Sequence, residues 1–136
     1  MIVRESRARW QGGLRAGEGR MELGSGAWAG PFTFASRFET GDGANPEELL
    51  GAALAGCYSM ALAAALEKAG HPAREVDTAC RVEFEGGIRR FALTCRVDAP
   101  GVGAEEFARL AEETRRGCHV AKALAAVDID LDARLA

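Results

Sequence analysis

The residues with the most distinctive chemistry in this chain are four cysteines, Cys57, Cys80, Cys95 and Cys118. A cysteine held as a thiolate can attack an electrophile or a peroxide, and a second thiol can trap the oxidised sulfur as a disulfide. The wide spacing matches no secreted disulfide framework and contains no CxxC pair, so we expect reduced thiols and no zinc site. The only histidines are His71 and His119, and neither has a spaced cysteine partner near Cys57.

Cys57 and Cys118 differ in the local structure predicted around them. Cys57 lies in the middle of an apolar predicted helix, where its thiol is inert unless a cation lies close by. Cys118 follows Gly117 at the start of a short predicted helix, whose free N–H groups and positive dipole end favour a thiolate. His119 would add positive charge when protonated, or lie exposed without such a role. Local chemistry alone leaves both cysteines open to an inert and a reactive interpretation.

The secondary-structure elements that must position these residues are indicated by glycine punctuation and hydrophobic periodicity. Asn45 and Pro46, with Glu48 three residues after the cap, predict a helix start, and Gly70 and Pro72 predict its end. The predicted order is an antiparallel meander (2–10, 19–23 and 32–38), this helix, a hairpin (76–84 and 91–97), a helix (104–116), a short helix from residue 118 and a strand (127–131).

The predicted hairpin gives Cys80 and Cys95 a structural role. If Gly86-Gly87 forms a two-residue turn, Val82 faces Phe91 on the buried side. Cys80 and Cys95 then lie on the apolar face as diagonal neighbours, roughly 7–8 Å apart, which is too far for an unstrained disulfide. We interpret both thiols as small apolar core side chains.

The composition predicts one globular domain over residues 1–136. Hydrophobic residues make up 48% of the chain, and the net charge of −3 offers no broad cationic surface for nucleic acid. Residues 1–5 lack the order of a signal peptide, which favours the cytoplasm. The uncharged stretch 49–66 is nearly long enough to cross a bilayer, but its Ala- and Gly-rich composition favours a buried central helix and no membrane span.

Four ordered blocks of the sequence resemble the osmotically inducible protein C and organic hydroperoxide resistance (OsmC/Ohr) family, with the OsmC branch as the best match. The blocks are RFE at 37–39, NPEELLGAA at 45–53, AGCYSMAL at 55–62 and GCHVAKAL at 117–124. Four blocks at family-like spacing, running nearly end to end, are far more specific than any single motif.

The resemblance implies an α+β fold, with antiparallel sheets wrapped around a long central helix in an intertwined homodimer. It also implies a thiol-dependent peroxidase for organic hydroperoxides that needs no cofactor and no metal. In that family pattern Cys57 is the attacking cysteine, Cys118 the resolving one, Arg37 the activating arginine and Glu47 its carboxylate partner. Without the resemblance, Arg37 is a surface arginine on a strand and Glu47 a carboxylate serving the helix N-terminus.

The chemistry that the resemblance implies needs these residue types. Arg37 would hold Cys57 as a thiolate, and Glu47 would hold the guanidinium through a two-point hydrogen bond. Cys57 would become a sulfenic acid on attacking the O–O bond and then condense with Cys118 to form a disulfide. An external dithiol must reset the enzyme, and the resemblance indicates a dihydrolipoyl or similar small dithiol.

The helix geometry adds an expectation about assembly. Glu47 and Cys57 are ten positions apart on one predicted helix, which separates them by roughly 15 Å of axial rise. The two side chains cannot meet within a straight helix, so either the helix start bends back or a partner subunit supplies the carboxylate. We favour a homodimer whose active site spans the interface, with the Gly- and Ala-rich face of 51–56 allowing close helix packing.

Three positions depart from the family pattern. His119 replaces the usual proline, Ala121 replaces a common serine, and Leu54 stands where relatives often have histidine. The change at His119 bears on the helix entry or on the acidity of Cys118, and therefore on the resolving step more than on the attack.

Two other classes of function stay open at this stage. The same residues would suit a non-catalytic thiol redox sensor or a hydrophobic-ligand-binding stress protein that does not turn over. A metal-binding stress protein has little support, because suitably spaced ligands are missing from the sequence.

Overall fold

The strands of the chain form two separate three-stranded sheets. The computed structural model describes residues 1–136. Its elements are β1 Ser6–Gln11, β2 Glu18–Leu23, β3 Ala29–Phe32, α1 Phe34–Phe38, α2 Pro46–Lys68, β4 Glu75–Phe84, β5 Ile88–Asp98, α3 Ala104–Gly117, α4 His119–Ala123 and β6 Asp128–Leu135. The predicted α+β class is confirmed.

The chain divides into two compact units, Met1–Leu49 and Leu50–Ala136. Each unit is described below by itself. The single domain over residues 1–136 and the intertwined homodimer stay predictions.

The first unit contains the antiparallel sheet β1-β2-β3, and it corrects one predicted strand. The segment 32–38 does not continue the meander, because β3 ends at Phe32 and α1 begins at Phe34. Thr33 and Ser36 start this helix by a reciprocal pair of bonds. The Ser36 N–H donates to Thr33 Oγ1 at 3.1 Å, and the Thr33 N–H donates to Ser36 Oγ at 2.8 Å. A serine thus takes the place of the Glu or Gln of the usual capping box.

Helix α2 begins and ends where the sequence predicts. Asn45 Oδ1 accepts a hydrogen bond from the Glu48 N–H at 2.8 Å, and Pro46 is the first helical residue. After Lys68 the chain turns through Gly70, whose φ is +87°, and the His71 N–H donates to the Leu66 carbonyl at 2.9 Å. A left-handed glycine and a bond back into the last turn are a common way to end a helix.

One face of α2 is buried and the other is exposed and apolar. The buried stripe faces the core of the second unit and consists of Leu54, Tyr58, Leu62 and Leu66. The exposed face consists of Ala52, Ala53, Gly56, Met60 and Ala64. By length and composition α2 satisfies the requirement for a membrane span, but core helices of soluble proteins satisfy it as well, so it is weak support for one. The sequence predicts that α2 is buried on all sides, but within this single chain only one face of the helix is buried.

The register of β4 and β5 confirms the predicted hairpin, but the turn differs. Val82 pairs with Phe91 and Glu83 with Arg90, whereas Phe84 pairs with Ile88 after a bulge. The loop closes by a hydrogen bond of 2.9 Å from the Glu85 N–H to the Gly87 carbonyl. Gly86 and Gly87 both have positive φ. The two-residue turn is thus wrong, and the bulge lets a longer loop keep the predicted pairing.

Strand β6 corrects the expectation of purely antiparallel sheets, because it pairs with β5 in parallel. Its observed span, Asp128–Leu135, is also longer than the predicted 127–131. A parallel pair requires a crossover connection, and α3 and α4 supply it. Cys118 therefore lies within this crossover.

Cys80 and Cys95 are free core thiols, as the sequence predicts. Cys80 pairs with Leu93 and Cys95 with Thr78, so the two cysteines are diagonal neighbours. Burial is the largest cause that raises the pKa of both thiols. Thr78 Oγ1 donates to Cys95 Sγ at 3.3 Å, which partly offsets the effect on the pKa of Cys95.

Candidate functional site

Cys57 and Cys118, the two cysteines singled out from the sequence, are neighbours in the second unit. Both thiols are free, and Cys57 lies close enough to Cys118 to raise its pKa. Cys57 is half-buried on α2, whereas Cys118 is only 3% exposed at the junction of α3 and α4. The structure thus brings the two reduced cysteines into the same part of the second unit.

One hydrogen bond joins α2 to α3, and a second one fixes Cys118 at the end of α3. The buried hydroxyl of Tyr58, next to Cys57, donates to the carbonyl of Ala111 on α3 at 3.1 Å. At the end of α3, the Cys118 N–H donates to the Thr114 carbonyl at 3.0 Å. The sequence does not indicate this role for Tyr58, because its hydrogen-bond partner lies 53 positions away along the chain.

Cys118 is the N-cap of α4, and its sulfur accepts the Ala121 N–H at 3.4 Å. Burial is the largest cause that raises the pKa of Cys118, and the hydrogen bond and charge of Cys57 raise it further. The N–H groups of Ala121 and Val120 lower the pKa, as the sequence predicts, but burial outweighs them. The helix start thus favours the Cys118 thiolate as expected, but the pKa is raised on balance because burial has the larger effect.

Arg37 and Glu47 form an ion pair in the first unit. Arg37 Nη2 lies 2.8 Å from Glu47 Oε1, and Arg37 Nε donates to Oε1 and Oε2 at 3.1 and 3.3 Å. The side chain of Glu47 is only 10% exposed, and that of Arg37 39%. The predicted two-point hydrogen bond is confirmed. Arg37 lies on α1 and not on a strand, whereas the first-turn position of Glu47 also suits a carboxylate that serves the N-terminus of α2.

The loop between α1 and α2 folds back so that this ion pair can form. Ser36 Oγ donates to the Ala44 carbonyl at 2.7 Å, and Asn45 Nδ2 donates to the Ser36 carbonyl at 3.2 Å. The same short polar residues that cap the two helices therefore join their ends. Because the ion pair belongs to the first unit and the cysteine pair to the second, the approach of Arg37 to Cys57 stays a prediction.

Aromatic rings next to Arg37 are functional candidates that the sequence reasoning missed. The guanidinium carbon of Arg37 lies 5.2 Å from the centre of the Phe38 ring, and the Phe34 and Phe38 rings are 4.9 Å apart. On the other side, the guanidinium carbon of Arg15 lies 4.4 Å from the centre of Phe34. Phe34 and Phe38 are four residues apart, a spacing that would have indicated a shared helix face had the segment been predicted as a helix.

The three departures from the family pattern lie around Cys118 and in the core. His119 is exposed at the start of α4, and Ala121 is buried with its N–H bonded to Cys118. Leu54 is fully buried in the apolar stripe of α2. No group of three or more His, Cys, Asp or Glu side chains is arranged to hold a metal ion.

Comparisons with known proteins agree on one family. The family described as OsmC-like protein matches residues 39–132. Peroxiredoxin OsmC of Escherichia coli is 36% identical over 140 residues, which cover 98% of this chain and 97% of the relative.

Solved structures share the fold. An organic hydroperoxide resistance protein OsmC from Legionella pneumophila superposes with a TM-score of 0.71 at 19% identity, covering 100% of this chain and 99% of that one. OhrB of Bacillus subtilis superposes with a TM-score of 0.67 at 19% identity, covering 97% and 98%.

The reactivity of Cys118 with iodoacetamide tests the site's electrostatics. Because its pKa is raised, we expect slow alkylation at neutral pH and faster alkylation as the pH rises above the ordinary thiol value of 9.0. Replacing Cys57 by Ala removes one cause of the raised pKa and should move this rate profile to lower pH. The readout is mass spectrometry of the peptide containing Cys118 in the reduced protein. Cys80→Ala is the control, and an unchanged profile in Cys57→Ala would contradict the contact.

Proposed function

Because the chain belongs to the OsmC-like protein family, we propose that it is a thiol peroxidase that reduces organic hydroperoxides to alcohols with Cys57 and Cys118. The resemblance to the OsmC branch is confirmed by the relative of 36% identity. The names of the relatives, peroxiredoxin and organic hydroperoxide resistance protein, support a peroxidase or other redox role. The observation that carries the proposal is the proximity of two free thiols, Cys57 and Cys118, in which Cys57 raises the pKa of Cys118.

In the proposed first step, the Cys57 thiolate attacks one oxygen of the hydroperoxide. The O–O bond breaks, the alkoxide leaves and takes a proton to become the alcohol, and Cys57 becomes a sulfenic acid. Arg37 supplies the positive charge that favours the thiolate and the leaving alkoxide. Glu47 fixes the guanidinium, since a bidentate pair restricts the direction of its N–H groups.

In the proposed second step, Cys118 resolves the sulfenic acid. Its sulfur attacks that of Cys57, the Cys118 proton leaves with the hydroxide as water, and a disulfide forms. The Ala121 N–H, which already lies 3.4 Å from Cys118 Sγ, stabilises the negative charge that develops there. An external dithiol, for which a dihydrolipoyl group is our candidate, then reduces the disulfide and is itself oxidised. The reducing cytoplasm, our proposed location, would keep all four thiols free between cycles.

A homodimer is part of this proposal. The exposed face of α2, which includes Met60 at 78% exposure, is apolar and built mainly of small residues that allow close helix packing. Gly51 is not part of this face, because a Cβ at that position would lie 2.9 Å from Val82 Cγ2 of β4. The separation of Glu47 and Cys57 along α2 favours a second copy as the source of the Arg37–Glu47 pair.

Peroxide turnover separates the peroxidase from a redox sensor or a hydrophobic-ligand-binding protein. With excess dithiol, a small amount of wild-type protein should consume many equivalents of cumene or tert-butyl hydroperoxide. Cys57→Ser should abolish consumption, and Cys118→Ser should complete one round and then recycle poorly. Cys80→Ala serves as the control thiol variant. Consumption by the wild type that stops after one equivalent per site, with several dithiols supplied, would identify a sensor.

The pair Glu47→Gln and Glu48→Gln tests whether Glu47 serves Arg37 or only the helix N-terminus. Both carboxylates lie in the first turn of α2, but Glu48 is exposed and Glu47 is bonded to Arg37. We expect Glu47→Gln to lower kcat/KM for the hydroperoxide roughly tenfold or more, the equivalent of one charge-assisted hydrogen bond. Glu48→Gln should have little effect on kcat/KM. Equal losses in the two variants would assign Glu47 to the helix alone.

A charge placed on the exposed face of α2 tests the dimer. Met60→Arg should weaken self-association at least roughly tenfold, because an apolar interface would have to desolvate the guanidinium. Sedimentation equilibrium of the reduced protein measures the effect. Ala108→Arg, on an exposed position of α3, is the matched control. A wild type that is monomeric and fully active in dilute solution would overturn this part of the proposal.

A further inference from the structure

A row of charged and aromatic side chains extends from the Arg37–Glu47 ion pair along the first unit. Successive members are Glu47, Arg37, Phe38, Phe34 and Arg15, and each contact beyond the ion pair measures 4.4–5.2 Å to a ring centre. Phe38 is 45% exposed, and Arg15 is exposed as well. The two aromatic rings of the row therefore lie between two cations, Arg37 and Arg15.

The two cations of this row differ in their partners. Arg37 is engaged by Glu47, whereas the guanidinium of Arg15 makes no ion pair with any carboxylate of the chain. The contact with the face of the Phe34 ring favours this position of Arg15 and leaves its N–H groups without a carboxylate partner. An oriented guanidinium of this kind is suited to a planar carboxylate, which it can bind through two hydrogen bonds.

The loop that carries Arg15 is held in one shape by its own backbone. The Gly17 N–H donates to the Gly13 carbonyl at 2.8 Å, and Gly12 has a φ of +93°. A Cβ at Gly17 would clash with the Gly13 carbonyl, so this turn depends on glycine there. Arg15 thus lies in a tight turn, and this turn places its guanidinium over the ring of Phe34.

We propose that Arg15 is a specificity-determining residue that binds the carboxylate of amphiphilic hydroperoxides, whose apolar bodies lie along Phe34 and Phe38. This inference rests on the proposed function, because the peroxide group would then lie at the Arg37 end of the row. The preferred substrate is an apolar chain or ring system with a peroxide and a carboxylate separated along it. Hydrogen peroxide would cover neither ring, and a neutral alkyl hydroperoxide would leave Arg15 without a partner.

The effect of Arg15 is measured as a ratio between two substrates that differ only in charge. A fatty-acid hydroperoxide and its methyl ester, both below their aggregation concentration, supply the same apolar chain and the same peroxide. In the wild type we expect kcat/KM to favour the acid. Arg15→Gln should reduce the acid-to-ester ratio about three- to tenfold, the size of an exposed to partly desolvated ion pair. A ratio is insensitive to the fraction of correctly folded protein.

Three controls separate carboxylate binding from a structural role of Arg15. Arg15→Lys keeps the charge and should retain most of the ratio. Arg4→Gln removes an equally exposed arginine whose guanidinium donates only to the Val3 carbonyl, and it should leave the ratio at the wild-type value. Raising the salt concentration should reduce the wild-type ratio and not that of Arg15→Gln, because exposed charges are screened. An unchanged ratio in Arg15→Gln, or an equal fall in Arg4→Gln, would overturn the inference.

A binding experiment keeps this inference distinct from the peroxidase proposal. In the Cys57→Ser background, a fatty carboxylate and the matching fatty alcohol are compared by titration calorimetry, with and without Arg15→Gln. A preference for the carboxylate that depends on Arg15 supports the subsite even if the wild type reduces no hydroperoxide. Equal affinity for the acid and the alcohol, in a protein that does reduce hydroperoxides, refutes Arg15 and leaves the peroxidase intact.

Discussion

The burial of one apolar stripe of α2 against the second sheet and α3 determines where Cys57 lies relative to Cys118. Leu54, Tyr58, Leu62 and Leu66 recur every four residues and are all fully buried. Cys57 directly precedes Tyr58 and so lies beside this stripe, half-buried and close enough to Cys118 to raise its pKa. Hydrophobic burial is not directional and does not by itself fix the position of α2 relative to α3. The hydrogen bond from the Tyr58 hydroxyl to Ala111 is directional and does so. Removing α2 from this position would separate the sulfur atoms without altering either cysteine.

The first unit contains a nearly buried carboxylate that is stabilised by an ion pair. Glu47 is a nearly buried carboxylate, and such a group is tolerated only with a partner that satisfies its oxygens. Arg37 supplies three hydrogen bonds to it and remains partly exposed. The pair is therefore both a structural requirement of the helix junction and a fixed source of directed N–H groups. These two roles do not compete, because the guanidinium has more donors than the carboxylate uses.

Sequence reasoning succeeded where a local rule governs the structure. Asn45-Pro46 and Gly70 bound α2 as expected, and the alternation in β4 and β5 gives the observed pairing. It failed at Thr33 and Ser36, because a serine in the place of the usual Glu or Gln starts α1 where a third strand was expected. The bulge near Glu83 and the parallel β6 were not foreseen either, since each depends on a pairing between distant parts of the chain. For the site, the residue types came from the resemblance, whereas the raised pKa of Cys118 came from burial that no sequence pattern reports.

The parallel pairing of β6 with β5 has a consequence for the order of folding. Cys118 lies in the crossover between these strands, and a crossover is fixed in space only once both of its strands are paired. Helix α2 and the β4–β5 hairpin involve shorter loops and can form earlier, during synthesis or refolding. A chain that has made them already carries Cys57, Cys80 and Cys95, whereas the backbone around Cys118 is not yet fixed. The surroundings that Cys57 and Cys118 share are thus completed only when the C-terminal strand pairs with β5.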